Sequence, residues 1–316
     1  MLLLCIEGGK PCKDRDTIPE WVMKEGDMMD GYCIETMGNL PKKQKSKDVK
    51  GVQVRGGGEA TTSGIDFWKQ LCVIPDKNNP AKKMCLLLMD TQGLWDASTN
   101  DKCNSSIFGL SCVLSSYLIF NQKGTLTSED LSQLASLTEF SNGLTKLQKD
   151  GRKAFQRMDI LFRDFTNISS RKTIDEAEQA RLKKLEDLNT KPALNKHTTK
   201  IKTCFEKFDI MCLNSPGEID DVDYNGDLNE CNKLFLKLLG HYIQRIIGTI
   251  RPRNIGGEDI TGKDFIEYAK NFADIFEKQD VYPDSTMVMD AASDVSNSKK
   301  IDAYCDVFYF VGIDNI

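Results

Sequence analysis

The residues whose types and spacing invite a chemical reading centre on Asp90. The apolar run Met84-Cys85-Leu86-Leu87-Leu88-Met89 stops abruptly at Asp90-Thr91-Gln92-Gly93. An aspartate ending a buried strand can hold Mg²⁺ through water, and the glycine N–H behind it can meet a γ-phosphate. The same D-x-x-G spacing recurs at Asp223-Tyr224-Asn225-Gly226 and Asp259-Ile260-Thr261-Gly262, neither of which follows a buried strand. A strand-ending turn therefore explains the pattern as well as a switch does. Upstream lies Arg55-Gly56-Gly57-Gly58-Glu59-Ala60-Thr61-Thr62-Ser63-Gly64-Ile65. A mobile glycine-rich loop carrying hydroxyls is the chemistry of a nucleotide switch, in which a threonine completes the Mg²⁺ shell. A flexible surface loop has the same composition. Downstream, Met158-Asp159-Ile160-Leu161-Phe162 ends in Arg163-Asp164-Phe165. A carboxylate there can accept two N–H bonds from the Watson–Crick edge of guanine; the plainer reading is a surface Arg–Asp pair.

The elements that must position these residues alternate. Residues 67–74 read as a strand closed by a turn at Pro75-Asp76, which Asn78-Asn79-Pro80 prolongs. Residues 84–89 read as a strand covered on both faces, as in a parallel sheet. Residues 113–120, 158–162 and 205–213 are further strand candidates. Thr127 with Asp130, and Thr173 with Glu176, form capping boxes. The first opens a helix with Leu131, Leu134 and Ala135 on one face; the second opens one with an apolar stripe of Leu182, Leu185 and Leu188. Residues 228–247 and 264–276 read as amphipathic helices, the latter with Phe265, Tyr268, Ala269 and Phe272 on one side. This alternation predicts an α/β sheet with ligands at the carboxyl ends of its strands.

Composition removes several alternatives. The chain has 316 residues, 40% hydrophobic and 28% charged, with net charge −5. That suits about two domains of ~150 residues, or one large domain with an extension. The mild acidity speaks against a nucleic-acid partner. No apolar run approaches the ~20 residues of a spanning helix, and residues 1–6 are too short for a signal peptide. Eleven scattered cysteines without a C-x-x-C pair read as reduced cytosolic thiols. Two histidines, His197 and His241, exclude a multi-histidine metal site. Residues 41–47 read as a solvated basic loop. Asp221-Val222-Asp223-Tyr224-Asn225-Gly226-Asp227 begins like a calcium loop, but its twelfth position is Asn232, so the bidentate glutamate is missing.

Taken together, these motifs resemble the atlastins, dynamin-superfamily GTPases related to the guanylate-binding proteins. The resemblance rests on Val54-Arg55-Gly56-Gly57, Thr61-Thr62-Ser63-Gly64-Ile65, Leu87-Leu88-Met89-Asp90-Thr91-Gln92-Gly93 and Ile107-Phe108-Gly109-Leu110-Ser111. Arg163-Asp164 matches the family's guanine motif, with Phe165 where atlastins carry tryptophan; Ser215-Pro216-Gly217 and Phe265-Ile266-Glu267-Tyr268 continue it. The similarity covers about residues 51–292. It implies a Ras-like GTPase domain with a mostly parallel sheet flanked by helices, over residues 1–280, followed by the beginning of a helical middle domain over 281–316. It makes Thr62 the switch I threonine, the catalytic candidate and a Mg²⁺ ligand. Asp90 and Gly93 become the switch II pair, with Asp90 the second Mg²⁺ site. Asp164 selects guanine with Arg163 beside it, Arg55 lies near the nucleotide, and Ser215 opens the loop near the base. The implied partners are GTP and GDP with Mg²⁺, and a second copy through the GTPase domain. The implied role is homotypic fusion of endoplasmic reticulum membranes, from their cytosolic side.

The sequence also departs from the family. No G-x-x-x-x-G-K-[ST] occurs; Gly8-Gly9-Lys10-Pro11 keeps only the Gly-Lys step, with proline after the lysine and the first glycine missing. The phosphate-cradling loop, its lysine and its Mg²⁺-binding hydroxyl are therefore expected to be missing from the divergent residues 1–50. The middle domain is expected to be truncated, with no membrane span in this chain, which alone reads as soluble and cytoplasmic. Two functions follow: a GTPase of the atlastin type, or a pseudo-GTPase that dimerises with or modulates an intact relative.

Overall fold

The computed structural model describes residues 64–67, 72–76, 79–91, 101–148, 151–217 and 231–278, with Met287. Arg55, Thr62, Gly93, the basic loop at 41–47, the acidic turn at 221–227 and the expected middle domain lie outside the described residues. Four short strands come first: β1 (Ile65–Phe67), β2 (Cys72–Asp76), β3 (Asn79–Leu86) and β4 (Met89–Thr91). Then follow α1 (Asp101–Leu114), β5 (Leu118–Lys123), α2 (Ser128–Ala135), α3 (Leu137–Leu147) and β6 (Phe155–Arg163). Next are α4 (Ile174–Thr190), α5 (Pro192–Cys204), β7 (Phe205–Cys212) and α6 (Lys233–Thr249). A small ladder of β8 (Asn254–Ile255) and β9 (Glu258–Asp259) leads into α7 (Gly262–Lys278).

The centre is a parallel sheet in the order β5-β6-β7, with Leu118 opposite Met158 and Met158 opposite Phe208. Helices flank it, in agreement with the expected α/β class. Two expected strands come out differently. Residues 67–74 divide between β1 and β2, and the apolar run 84–89 divides between β3 and β4. β2 pairs with β3 and β1 with β4, both antiparallel. Met84, Leu87, Leu88 and Met89 are half-buried rather than doubly covered. Only two residues separate β2 from β3, and a connection that short permits only antiparallel pairing. Asn79 and Pro80, expected in a turn, open β3. Val113 and Leu114, expected to begin a strand, close α1, where both are buried. Packing has overridden the β-preference of Val113 there.

Local chemistry explains the helices. Thr127 Oγ1 accepts from the Asp130 N–H at 3.1 Å while the Asp130 carboxylate accepts the Thr127 N–H at 2.8 Å. Thr173 and Glu176 repeat the exchange at 3.3 and 2.8 Å. Each box satisfies donors that a helix start leaves unmet. Leu131, Leu134 and Ala135 are buried, as are Tyr268 and Phe272 of α7. On α4 the expected stripe fails at Leu182, which is exposed, while Leu188 is fully buried. Six residues at roughly 100° each turn the helix by about 240° beyond a full circle, so Leu182 and Leu188 cannot share a face. The inward face carries Ala177 and Leu188, with Arg181 reaching the sheet.

The two ends of the sheet differ. At the amino end Phe155 faces Phe205 in register, ring centroids 5.1 Å apart. Phe140 of α3 lies 6.2 Å from Phe155 and 5.5 Å from Phe276 of α7. This aromatic chain seals that end with apolar surface and leaves the carboxyl end for polar chemistry. Midway, Asp159 of β6 and Asp209 of β7 are register partners. Arg245 of α6 bridges them, Nη2 to Asp159 at 3.0 Å and Nη1 to Asp209 at 3.1 Å. Arg157 and Tyr117 add bonds to Asp159 at 2.9 and 2.5 Å, and Arg181 adds one to Asp209 at 2.9 Å. Two neighbouring carboxylates coexist there because three guanidinium groups surround them.

Candidate guanine-nucleotide site

The carboxyl edge of the parallel sheet is stitched together by backbone bonds beyond the strands. Gly124, with φ +71°, donates to the Arg163 carbonyl at 2.8 Å, joining the end of β5 to that of β6. Leu213 N–H donates to Phe162 at 2.8 Å, and Phe165 N–H to Leu213 at 2.9 Å, joining β6 to the segment after β7. Arg163, Asp164 and Ser215 therefore share one edge. Asp164 has φ +52°, the one non-glycine in the left-handed region among the described residues. Aspartate tolerates that region better than most side chains, and such strain persists only where the surroundings enforce it. Here the restraint is Phe165, which is buried with its ring 6.0 Å from that of Phe162. Asp164 itself stays half-exposed and Arg163 is exposed.

The facing loop is equally held. Ser215 is exposed, and its Oγ accepts the Gly217 N–H at 3.3 Å. Gly217 has φ +117°, a conformation that favours glycine. The Pro216 carbonyl accepts the Asn232 N–H at 2.6 Å, and Asn232 caps α6 by accepting from Leu234 at 2.9 Å. The loop is thus tied to the start of α6. Two groups beneath the edge were not legible as part of it. Lys184 of α4 places its ammonium 4.8 Å from the centre of the Phe162 ring, and burial lowers its pKa. Burial also pushes the Cys212 thiol up to about 12, which keeps it protonated and unreactive at neutral pH.

Asp90 lies elsewhere. It sits within β4, half-buried, opposite Asp66 on β1. Among the described residues no strand pairing joins this ladder to the β5-β6-β7 sheet, although Met89 packs against the common core. The expected placement at the very end of a strand is off by one residue, since Thr91 still pairs with Ile65. No group of three or more His, Cys, Asp or Glu side chains that could hold a metal forms among the described residues. Beside a nucleotide, Mg²⁺ is usually held by one or two carboxylates, phosphate oxygens and water. A single Asp90 fits that donor set.

Residues 30–250 match the model of the guanylate-binding protein N-terminal domain. The chain belongs to this family. The matched stretch includes Arg55, Thr62, Asp90, Gly93, Arg163, Asp164 and Ser215. The chain is also similar to atlastin-1 of Bos taurus, 26% identical over 265 residues, covering 80% of this chain and 45% of that protein. Atlastin-2 of Homo sapiens is 25% identical over 276 residues, covering 82% of this chain and 46% of the relative. The chain thus spans about half the length of the curated relatives it matches. No helix among the described residues is long and apolar enough to cross a membrane.

Proposed function

We propose that this chain is a GTPase domain of the atlastin type that recognises guanine through Asp164. The observation that carries the reading is Asp164 itself. It is a half-exposed carboxylate held in left-handed backbone at the carboxyl edge of a parallel sheet, beside the anchored Ser215 loop. Ligands of open α/β sheets bind at that edge. In this reading Arg163 flanks the base, and Arg55 lies near the nucleotide. Asp90 and Thr62 hold Mg²⁺, with Gly93 at the γ-phosphate. The bound ion would neutralise charge developing on the transferred phosphoryl group. No protein base is required; the residues position and stabilise.

The test is base competition. GDP should displace a fluorescent guanine nucleotide far better than ADP does, and Asp164→Ala should abolish the difference. A site built to hydrogen-bond one partner discriminates by orders of magnitude. Equal displacement by both nucleotides in the unmutated protein would remove the guanine assignment.

The family reading extends to dimerisation through this domain and to homotypic fusion at the cytosolic face of the endoplasmic reticulum. Sedimentation of the chain with and without a GTP analogue would test the dimer. One observation favours a second reading: G-x-x-x-x-G-K-[ST] is absent from the 316 residues. A pseudo-GTPase would keep the dimer surface and modulate an intact relative without turnover.

A further inference from the structure

Asn214 stands two residues beyond Cys212, the last residue of β7, and is 1% exposed. Its Nδ2 donates to the Ser215 carbonyl at 3.0 Å, while its Oδ1 is buried and meets no donor. The Ser215 bond fixes which way the amide points, because only its NH₂ end can donate. Buried acceptors without partners are rare enough that each calls for a cause. Among the described residues several buried polar atoms lack partners, but Asn214 Oδ1 is the one on the carboxyl edge of the sheet. Its neighbour Leu213 accepts the Phe165 N–H at 2.9 Å, so Asn214 and Asp164 each lie one residue from the same backbone bond.

Guanine supplies a matching donor. Its Watson–Crick edge carries N1–H and an exocyclic amine with two N–H bonds. A carboxylate such as Asp164 accepts N1–H and one amine hydrogen; the second amine hydrogen still needs an acceptor. We propose that Asn214 is a second specificity residue for the base, its Oδ1 taking that remaining amine hydrogen once the loop admits the ligand. This rests on the assignment of Asp164 to guanine. It assigns Asn214 to the 2-amino group alone, which hypoxanthine lacks.

Ligand-observed NMR competition with GDP, IDP and ADP suits weak affinities and separates the two ideas. In the unmutated protein GDP should be preferred over IDP, and Asn214→Ala should reduce that ratio about tenfold while leaving the preference for IDP over ADP intact. Asn214→Asp keeps both shape and acceptor, so it should retain the GDP preference. Asn214→Leu fills the space without an acceptor and should behave like Asn214→Ala. An unchanged GDP-to-IDP ratio in both Asn214→Ala and Asn214→Leu would overturn the role of Asn214, with the base assignment intact. If Asp164→Ala leaves GDP and ADP discriminated as before, the base assignment itself falls, and this inference with it. Melting of the nucleotide-free protein supplies the remaining control. Asn214→Leu removes the unmet acceptor together with the 3.0 Å bond to the Ser215 carbonyl, so it should melt within about 5 °C of the unmutated chain; a much larger loss would mark Asn214 as merely structural.

Discussion

Asp164 carries two demands that oppose each other, and substitution can separate them. Its carboxylate serves the proposed base contact, while its Cβ strains a left-handed backbone at φ +52°. Relieving that strain with glycine gains on the order of 1 kcal/mol, partly offset by the greater freedom of glycine in the unfolded chain. Asp164→Gly should therefore melt about 2–4 °C above Asp164→Ala, although both variants lose guanine selectivity. Identical melting by calorimetry would show that position 164 relaxes out of the left-handed region. The carboxylate was legible in the sequence only through the family resemblance, because an Arg-Asp pair closing an apolar strand reads more plainly as a surface pair. The strain was not, since an aspartate in a loop is compatible with many turn conformations. Asn214 was illegible for the same reason: asparagine before Ser-Pro-Gly reads as turn chemistry, and only its burial distinguishes it.

Among the elements, those with local signals were readable and those set by pairing were not. The capping boxes at Thr127 and Thr173 and the apolar face of α7 are contained within one or two helical turns, so the chain announces them. The direction of β3, and the choice between helix and strand at Val113, depend on neighbours far along the chain. The Arg245 bridge belongs to this second kind. It joins α6 to both β6 and β7 through Asp159, which is 0% exposed, and Asp209. Removing one partner from a buried ion pair typically costs 3–5 kcal/mol, because the remaining charge is stranded. Arg157 still reaches Asp159 at 2.9 Å, so Arg245→Met should cost about 3 kcal/mol in urea unfolding. Asp209→Asn added to that variant should recover part of the loss. A loss below about 0.5 kcal/mol would show that Arg157, Arg181 and Tyr117 satisfy the two carboxylates by themselves.

At the scale of the whole molecule, several buried acids favour one side of neutrality. Burial first, then neighbouring charge, raises the Cys112 thiol and the Tyr117 and Tyr242 phenols; burial raises Cys212 and Tyr268. Each folded pKa exceeds its unfolded value, so the unfolded chain releases these protons first. The stability they contribute is full below the unfolded values, near 8.5 for thiols and 10 for phenols, and is lost as pH rises above them. Each such group adds up to about 1.4 kcal/mol of loss per pH unit. Urea midpoints should fall steeply from about pH 8.5 upward; a flat profile to pH 11 would contradict the burial of these groups. The phosphate end of the proposed ligand follows a different logic. P-loop enzymes hold the β-phosphate by backbone N–H groups of the loop and its lysine, and the 316 residues contain no such motif. Each missing charge-assisted bond is worth ~1.5–3 kcal/mol. A micromolar complex has only about 8 kcal/mol in total, so losing a handful of these bonds removes micromolar affinity. On the proposed assignment Asp164 would still choose guanine, because that base contact lies at the β5-β6-β7 edge and not in the phosphate loop. The 316-residue chain should therefore bind GTP more weakly than micromolar, discriminate the base, and release little or no phosphate. Calorimetric titration and a phosphate-release assay measure all but the base choice directly. Micromolar binding with turnover would mean that another segment cradles the phosphates, and Gly8-Gly9-Lys10 would be the first to mutate.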